Sequence, residues 1–165
     1  ARGEDVTVGP GSFVPIEGIA HEVISGTGRT VRLDAGRILV PGPADRIAAR
    51  LAGHLKALAR TRLAEASDAY ASRLGKRYSA ITLRDTRSRW GSCTAQGRLM
   101  YSWRLVLAPP EVLRYVAAHE VAHLAQMNHS PAFWAEVERI HGPYARQRAW
   151  LRRDGNQLHR LRFQG

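Results

Sequence analysis

Three histidines and one glutamate lie within the eleven-residue stretch HEVAHLAQMNH, which runs from His119 to His129. If this stretch begins on an α-helix, His119 and His123 are one turn apart, and their imidazoles can bind one metal ion. Glu120 is rotated by about 100° from His119, so its carboxylate can flank the ion without binding it. The pattern predicts a zinc site at which Glu120, as general base, takes a proton from a zinc-activated water.

Two histidines do not complete a zinc site, and His129 is the first candidate for a third ligand. A straight helix would carry this residue away from the ion, so the chain must turn after His123. Asn128 adopts left-handed conformations more readily than most residues, and Ser130-Pro131 is a typical helix start. We therefore expect a turn near Asn128 that brings His129 back to the metal and leaves the fourth coordination position open.

Two alternatives remain open at this point. Glu136 or Glu138 could supply the third ligand, as carboxylates do in some zinc peptidases, if the helix after Ser130 folds back over the first. The histidines could also cap or line a helix without binding any metal.

The elements around the motif are predicted from apolar periodicity and from the positions of Gly and Pro. Short β-prone runs separated by turns indicate an antiparallel meander, and apolar residues at helical spacing indicate a long amphipathic helix after it. From the N-terminus we expect the meander over 18–43, the long helix over 44–75, a β-hairpin around the turn at 94–97, and helices over 110–127, 131–141 and 144–155.

Length and composition favour one α+β domain. The chain has 165 residues, of which 44% are hydrophobic, enough for a globular core. We expect residues 18–155 to form this domain, residues 1–17 a flexible N-terminal segment, and residues 156–165 a C-terminal tail.

The sequence also predicts a compartment. No apolar run approaches the roughly 18 residues that a membrane span needs, and the first residues lack the apolar core of a signal peptide. Cys93 is the only cysteine, so no internal disulfide can form. We therefore expect a cytoplasmic protein with no membrane partner.

The positive charge is unevenly distributed. Of the formal net charge of +11, residues 44–104 carry +9, residues 105–165 carry +3 and residues 1–43 carry −1. A basic central segment could attract nucleic acid. However, 23 of the 25 basic residues are arginine, and a general composition bias with solvated side chains explains the charge equally well.

The segments RSRWGSC at 87–93 and SWRLVLAPPEVLRYVAAHEVAHLAQMNHSPAFW at 102–134 closely resemble the YgjP-like metallopeptidase family. This resemblance, over residues 20–155, implies a zincin-type fold and zinc peptidase activity. It also implies His119, His123 and His129 as zinc ligands and Glu120 as general base. The family is more distantly similar to SprT-like proteases, some of which act on proteins attached to DNA. Metzincins place a glycine where this chain has Gln126, so metzincin membership is not expected.

A peptidase also needs groups that hold the peptide and stabilise the oxyanion. In zincins an edge strand beside the metal helix usually pairs with the substrate backbone, and we expect the strand around 99–103 to do so. Tyr101, Trp103 and Arg104 are therefore candidate substrate-binding residues. In the RWGSC segment we expect Gly91 to allow a close backbone approach and Cys93 to be a small buried residue.

These observations favour a soluble zinc metallopeptidase that acts on a peptide or protein substrate. The alternative is a basic, nucleic-acid-associated domain whose zinc is structural or whose proteolysis is directed to DNA-bound proteins. Structural zinc sites usually have four protein ligands, often cysteines, and the single cysteine here fits an open site better. A zinc-binding scaffold without turnover is a third possibility.

Overall fold

Four α-helices and nine β-strands in three small sheets make up residues 3–163, the part of the chain that this computed structural model describes. The predicted α+β class is confirmed. The helices are α1 (Ala44–Leu74), α2 (Pro110–Ala122), α3 (Pro131–His141) and α4 (Ala145–Asp154), with 3₁₀ helices at Trp103–Leu107 and Gly155–Arg160. The strands are β1 (Val6–Thr7), β2 (Phe13–Ile16), β3 (Ile19–Gly26), β4 (Arg32–Asp34), β5 (Arg37–Pro41), β6 (Ala80–Arg84), β7 (Gly91–Cys93), β8 (Arg98–Ser102) and β9 (Leu161–Arg162).

The N-terminal strands form a mixed sheet in the order β2-β3-β5-β4, which corrects the antiparallel meander predicted over 18–43. Strands β3 and β5 pair in parallel, so β4 lies at the edge and not between them. Burial explains this order. Val23 of β3 and Ile38 and Val40 of β5 have no exposed surface, whereas every residue of β4 is exposed. The apolar strands take the centre of the sheet and the polar strand takes its edge.

The second sheet has the order β6-β8-β7, with β8 in the centre and β7 at an edge beside α2. The predicted turn at 94–97 joins β7 to β8 as an antiparallel hairpin in which Ser92 lies opposite Met100. Gly97 turns the chain with a φ of +78°, a conformation that glycine adopts without strain. Strand β6 pairs with β8 in parallel on the other side.

Helix α1 spans 31 residues and packs along α2. Its apolar side chains recur at helical spacing, and Leu51, Leu55 and Leu63 have no exposed surface. Burying each of these leucines contributes roughly 1.5–3 kcal/mol. Gly75 ends the helix in the left-handed conformation, with a φ of 78°, as its position predicted. No helix within residues 3–163 combines the length and the apolar character that a membrane crossing requires.

The two ends of the described chain meet in a short parallel sheet, where Val6 of β1 lies opposite Leu161 of β9. Arg104 connects this region to the core. Its buried guanidinium donates to the main-chain carbonyl of Leu158 at 2.6 Å and to that of Leu161 at 2.8 Å. These charge-assisted hydrogen bonds hold the C-terminal turn in place.

This pairing corrects the predicted ends of the domain. The segment 1–17, expected to be flexible, contains β1 and β2, and the tail at 156–165 contains part of a 3₁₀ helix and β9. The sequence alone gave no sign of the pairing because both strands have only two residues. Residues 1, 2, 164 and 165 lie outside the described residues.

Candidate metal centre and active-site cleft

Helix α2 carries His119 and Glu120 and ends just before His123. The main-chain N–H of Leu124 donates to the carbonyl of Val121 at 2.9 Å, and that of Ala125 donates to the carbonyl of Ala122 at 3.0 Å. Each bond joins residues three positions apart. Such bonds tighten the last helical turn into 3₁₀ geometry. The chain therefore turns earlier than the predicted site near Asn128, and no residue of this turn has a positive φ.

The turn brings the imidazoles of His119, His123 and His129 together, with one ring nitrogen of each within 4.8 Å of the others. The Nε2 atom of His129 lies 3.1 Å from that of His123 and 3.3 Å from that of His119. Two nitrogens bound to one tetrahedral zinc ion are separated by about 3.3 Å. The donor set and its spacing therefore fit a divalent cation such as zinc.

For His119 and His123, contacts on the far side of the ring decide which nitrogen faces this centre. The Nδ1 atom of His123 lies 3.0 Å from the main-chain carbonyl oxygen of Gln126, so Nδ1 carries the proton and donates. The Nδ1 atom of His119 lies 3.3 Å from the hydroxyl of Tyr115. The Nε2 lone pair of His123 is thus directed at Nε2 of His129, an arrangement that a bound cation stabilises.

The carboxylates considered as alternative ligands lie apart from this cluster. Glu136 forms an ion pair with Arg139 at 2.6 Å, and Glu138 is exposed on α3. Within residues 3–163, neither belongs to a group of side chains that could share one metal ion.

Phe133 of α3 packs against all three imidazoles. Its ring is fully buried and stacks on His123 at 4.3 Å between ring centres, with His119 at 5.0 Å and His129 at 4.9 Å. Ser130 caps α3 by accepting a hydrogen bond from the N–H of Phe133 at 3.3 Å. The helix start recognised in the sequence therefore also positions the ring that orients the histidines.

Glu120 is 6% exposed, and its side chain lines the same cavity as the three histidines. Burial raises the pKa of the Glu120 carboxyl to about 8, and the guanidinium of Arg89 partly opposes this shift. Gly91 lies directly against Glu120, which confirms the predicted close backbone approach. Burial also lowers the pKa of His119 to about 3, so this imidazole stays neutral and able to bind a metal at neutral pH.

The cavity has a volume of about 490 Å³. Its floor is α2 and the three histidines, and one wall is the RWGSC segment at 89–93. Cys93 belongs to this wall and is only half-buried, unlike the buried cysteine that the sequence predicted. Met127 and Leu151 complete the lining.

Strand β7 presents a free edge at this wall. The chain around β7 is hydrogen-bonded to the β8 side through the main-chain oxygen of Trp90 and the main-chain N–H of Thr94. Ser92 lies midway between these two residues and has the same orientation, opposite Met100. In an antiparallel pair the residues between such positions direct their main-chain groups away from the partner strand. The N–H and C=O groups of Gly91 and Cys93 therefore face the open edge, where an extended peptide can pair with them.

The predicted substrate-binding residues lie elsewhere, which is a correction to the sequence analysis. Tyr101 is fully buried in the central strand β8, and its hydroxyl lies 2.9 Å from Oγ of Ser67. Trp103 is 3% exposed and Arg104 is 6% exposed, and Arg104 forms an ion pair with Asp85 at 2.7 Å. None of the three lines the cavity, because the edge strand is β7 and not β8.

An aromatic cluster on the α4 side of the site was not predicted. The ring of Tyr115 lies 5.9 Å from that of Tyr144, which lies 5.1 Å from that of Trp134. Trp134 in turn contacts His119 at 5.4 Å, and the guanidinium of Arg148 lies over the Trp134 ring at 4.5 Å. Tyr115 precedes His119 by one helical turn, and this spacing is the signal in the sequence that could have identified it.

Comparison with known proteins agrees with this geometry. Residues 9–154 match a family model described as the YgjP-like, metallopeptidase domain. Among solved structures, the crystal structure of the metallopeptidase zymogen of Pyrococcus abyssi abylysin is similar, with a TM-score of 0.50 and 21% sequence identity. The match covers 61% of this chain and 98% of that chain, and at this identity it concerns the fold alone. No curated protein matches the chain significantly.

Proposed function

Because this chain belongs to the YgjP-like metallopeptidase family, we propose that it hydrolyses peptide bonds with a zinc ion held by His119, His123 and His129. Glu120 is the proposed general base. The observation that carries this proposal is the convergence of three imidazole nitrogens within 4.8 Å beside a buried carboxyl group.

The chemistry of the donor set supports zinc. Neutral imidazole nitrogens are preferred zinc ligands, and three of them leave a coordination position open, as catalytic zinc sites do. A zinc ion bound here would polarise the scissile carbonyl and lower the pKa of the attacking water.

Glu120 is suited to move the proton. Burial raises the pKa of this carboxyl to about 8 in the metal-free protein. A cation bound beside it favours the ionised form, so the carboxylate can accept a proton near neutral pH. In the proposed reaction Glu120 accepts the proton of the attacking water and then delivers it to the leaving amine. The buried position of the carboxyl keeps this proton from exchanging freely with bulk water.

Strand β7 supports binding of an extended substrate. A peptide that adds to this edge pairs with the outward main-chain groups of Gly91 and Cys93 and lies along the cavity that contains Glu120. Backbone pairing of this kind gives affinity with little dependence on sequence, so side-chain preferences must come from the other walls of the cleft.

The test combines metal analysis with hydrolysis. We expect the purified protein to contain one zinc ion per chain and to cleave peptides from a random library, with activity lost on chelation. Glu120→Gln should retain zinc and lose hydrolysis, whereas His129→Ala should lose both. Full activity of Glu120→Gln would overturn the proposed mechanism.

A second candidate function, association with nucleic acid, is favoured by one observation. Of the thirteen basic residues between 44 and 104, only Arg62 and Arg104 form an ion pair within the described part of the chain. The other eleven are exposed. Two of them, Arg50 and Arg73, donate to main-chain carbonyls, and the charges of the rest can reach phosphate groups. DNA binding that weakens steeply with salt and persists after chelation would support this function, and no binding at low salt would exclude it.

A further inference from the structure

The active-site cavity has an unusual charge balance. Among residues 3–163, Glu120 is the only carboxylate in its lining, and Arg89 lines it as well. Arg89 is exposed, and its guanidinium forms no ion pair or hydrogen bond with residues 3–163. Its main-chain oxygen accepts a hydrogen bond from the hydroxyl of Thr86 at 2.8 Å. An unpaired guanidinium inside a cleft acts on a ligand more strongly than the same group on a flat surface, because the low-dielectric walls concentrate its field.

A second arginine without an ion pair among residues 3–163 lies on the α4 side of the site. Arg148 of α4 lies over the ring of Trp134, which itself contacts His119 and His129. Stacking on an aromatic ring limits the conformations of the guanidinium. Leu151, one helical turn further along α4, lines the cavity, so Arg148 lies on the side of the helix that faces the cleft.

We propose that the cleft selects peptide segments with acidic side chains near the scissile bond, and that Arg89 and Arg148 are the residues that determine this specificity. The proposal rests on the peptidase function proposed above and assigns its substrate class.

The geometry of strand addition supports this assignment. Arg89 lies two residues before Gly91, one of the positions whose main-chain groups are open to a peptide. A side chain of a peptide paired along β7 therefore passes close to the Arg89 guanidinium. Arg89 lines a cleft beside a strand edge, and Arg148 lies next to that cleft on Trp134. This arrangement fits an extended peptide better than a nucleic acid duplex.

Binding can be tested separately from hydrolysis. The Glu120→Gln protein, loaded with zinc, is titrated into three fluorescent peptides that differ only in carrying two glutamates, two glutamines or two lysines. We expect the glutamate peptide to bind about tenfold more tightly than the glutamine peptide at low salt. Adding Arg89→Gln or Arg148→Gln should weaken its binding about three- to tenfold.

Arg146→Gln is the matched control, because it removes the same charge from an exposed position two residues from Arg148 on α4. It should change the affinity less than twofold. An equal loss in the control would show that only the net charge of +11 matters, and equal affinities for the glutamate and glutamine peptides would also overturn the proposal. The proposal would also be wrong if single-stranded DNA displaced the bound glutamate peptide at lower concentrations than unlabelled glutamate peptide does.

Hydrolysis then distinguishes specificity from catalysis. With Glu120 intact, the wild-type protein should cleave the glutamate peptide with the highest kcat/KM, and the double variant Arg89→Glu, Arg148→Glu should prefer the lysine peptide. If the double variant instead lowers kcat equally for all three peptides and leaves KM unchanged, the two arginines act on the transition state and the specificity proposal is wrong. If no peptide is cleaved, the peptidase function fails, while the binding experiment still decides whether the cleft recognises acidic peptides.

Discussion

Gly91 approaches Glu120 so closely that a Cβ atom at position 91 would lie 2.9 Å from Cγ and 3.1 Å from Oε2 of the glutamate. Real Cβ atoms essentially never lie within 3.0 Å of another heavy atom, as this one would of Cγ, so one of the two groups would have to move. The same added atom would lie 3.0 Å from the main-chain oxygen of Met100, a second tight contact. The glycine therefore allows the edge strand to pack directly against the carboxyl of Glu120.

Gly91→Ala should displace the Glu120 carboxyl and lower kcat about 10- to 100-fold, because misplacement by even 1 Å is costly in catalysis. Zinc content should be unchanged, since the histidines are not in contact with residue 91. Steady-state kinetics and metal analysis would measure both. Gly53→Ala is the control, as a Cβ there meets nothing within 4 Å. A normal kcat in Gly91→Ala would show that the position of Glu120 is not critical.

Tyr115→Phe should weaken zinc binding about tenfold, because it removes the hydroxyl beside Nδ1 of His119 while it keeps the buried ring. Competition with a chromophoric chelator measures this affinity. Tyr144→Phe changes a ring of the same aromatic cluster and should leave zinc binding intact. Equal affinities of the Tyr115 variant and the wild type would mean that the hydroxyl does not orient the ligand.

Tyr101→Phe should reduce the free energy of unfolding by about 1–2 kcal/mol, since Ser67 loses its buried hydrogen-bond partner. The kcat/KM for peptides should not change, because Tyr101 has no exposed surface. Denaturant unfolding and kinetics together provide the check. A large loss of kcat/KM with normal stability would restore the substrate-binding role first predicted from the sequence.

The stability of the metal-free protein should depend on pH through Glu120. Its pKa is about 8 in the folded protein against an ordinary value of 4.5. Between these values the unfolded chain releases the proton and the folded protein keeps it, so stability is lost as pH rises towards 8. Glu120→Gln removes this dependence.

With chelator present, Glu120→Gln should therefore gain stability relative to the wild type between pH 5 and pH 8, by about 1–3 kcal/mol. Urea unfolding at several pH values measures the difference. A constant difference over this range would contradict the raised pKa of the carboxyl. The comparison must use metal-free protein because a bound cation would itself favour the carboxylate.

The sequence predicted the parts of the site that depend on local geometry. His119 and Glu120 belong to α2, and His123 follows as its C-cap residue with helical backbone angles, so their spacing alone fixes their relative directions. Ser130 and Pro131 predicted the start of α3 because an N-cap serine followed by proline is also a local signal. In contrast, the turn after His123 depends on hydrogen bonds three residues apart, and nothing in residue type pointed to its early position.

Strand order could not be predicted, and the substrate-binding residues were misplaced for that reason. The turn at 94–97 predicts both β7 and β8. Which of these two strands lies at the edge of the sheet depends on which of them β6 pairs with, and β6 pairs with β8. Arg104 illustrates a second limit. Arginine is usually exposed, and here it is buried because carbonyls from residues 158 and 161, more than fifty positions away, accept its hydrogen bonds.

The single thiol of the chain, on Cys93, stands in the wall of the cleft beside the strand edge that is open to a peptide. Burial raises the pKa of this thiol to about 11, so at neutral pH it is scarcely nucleophilic and alkylation is slow. An environment-sensitive dye attached there at alkaline pH would mark one defined place on the molecule without any engineered cysteine. Its emission would then report, in real time, when the cleft fills and empties.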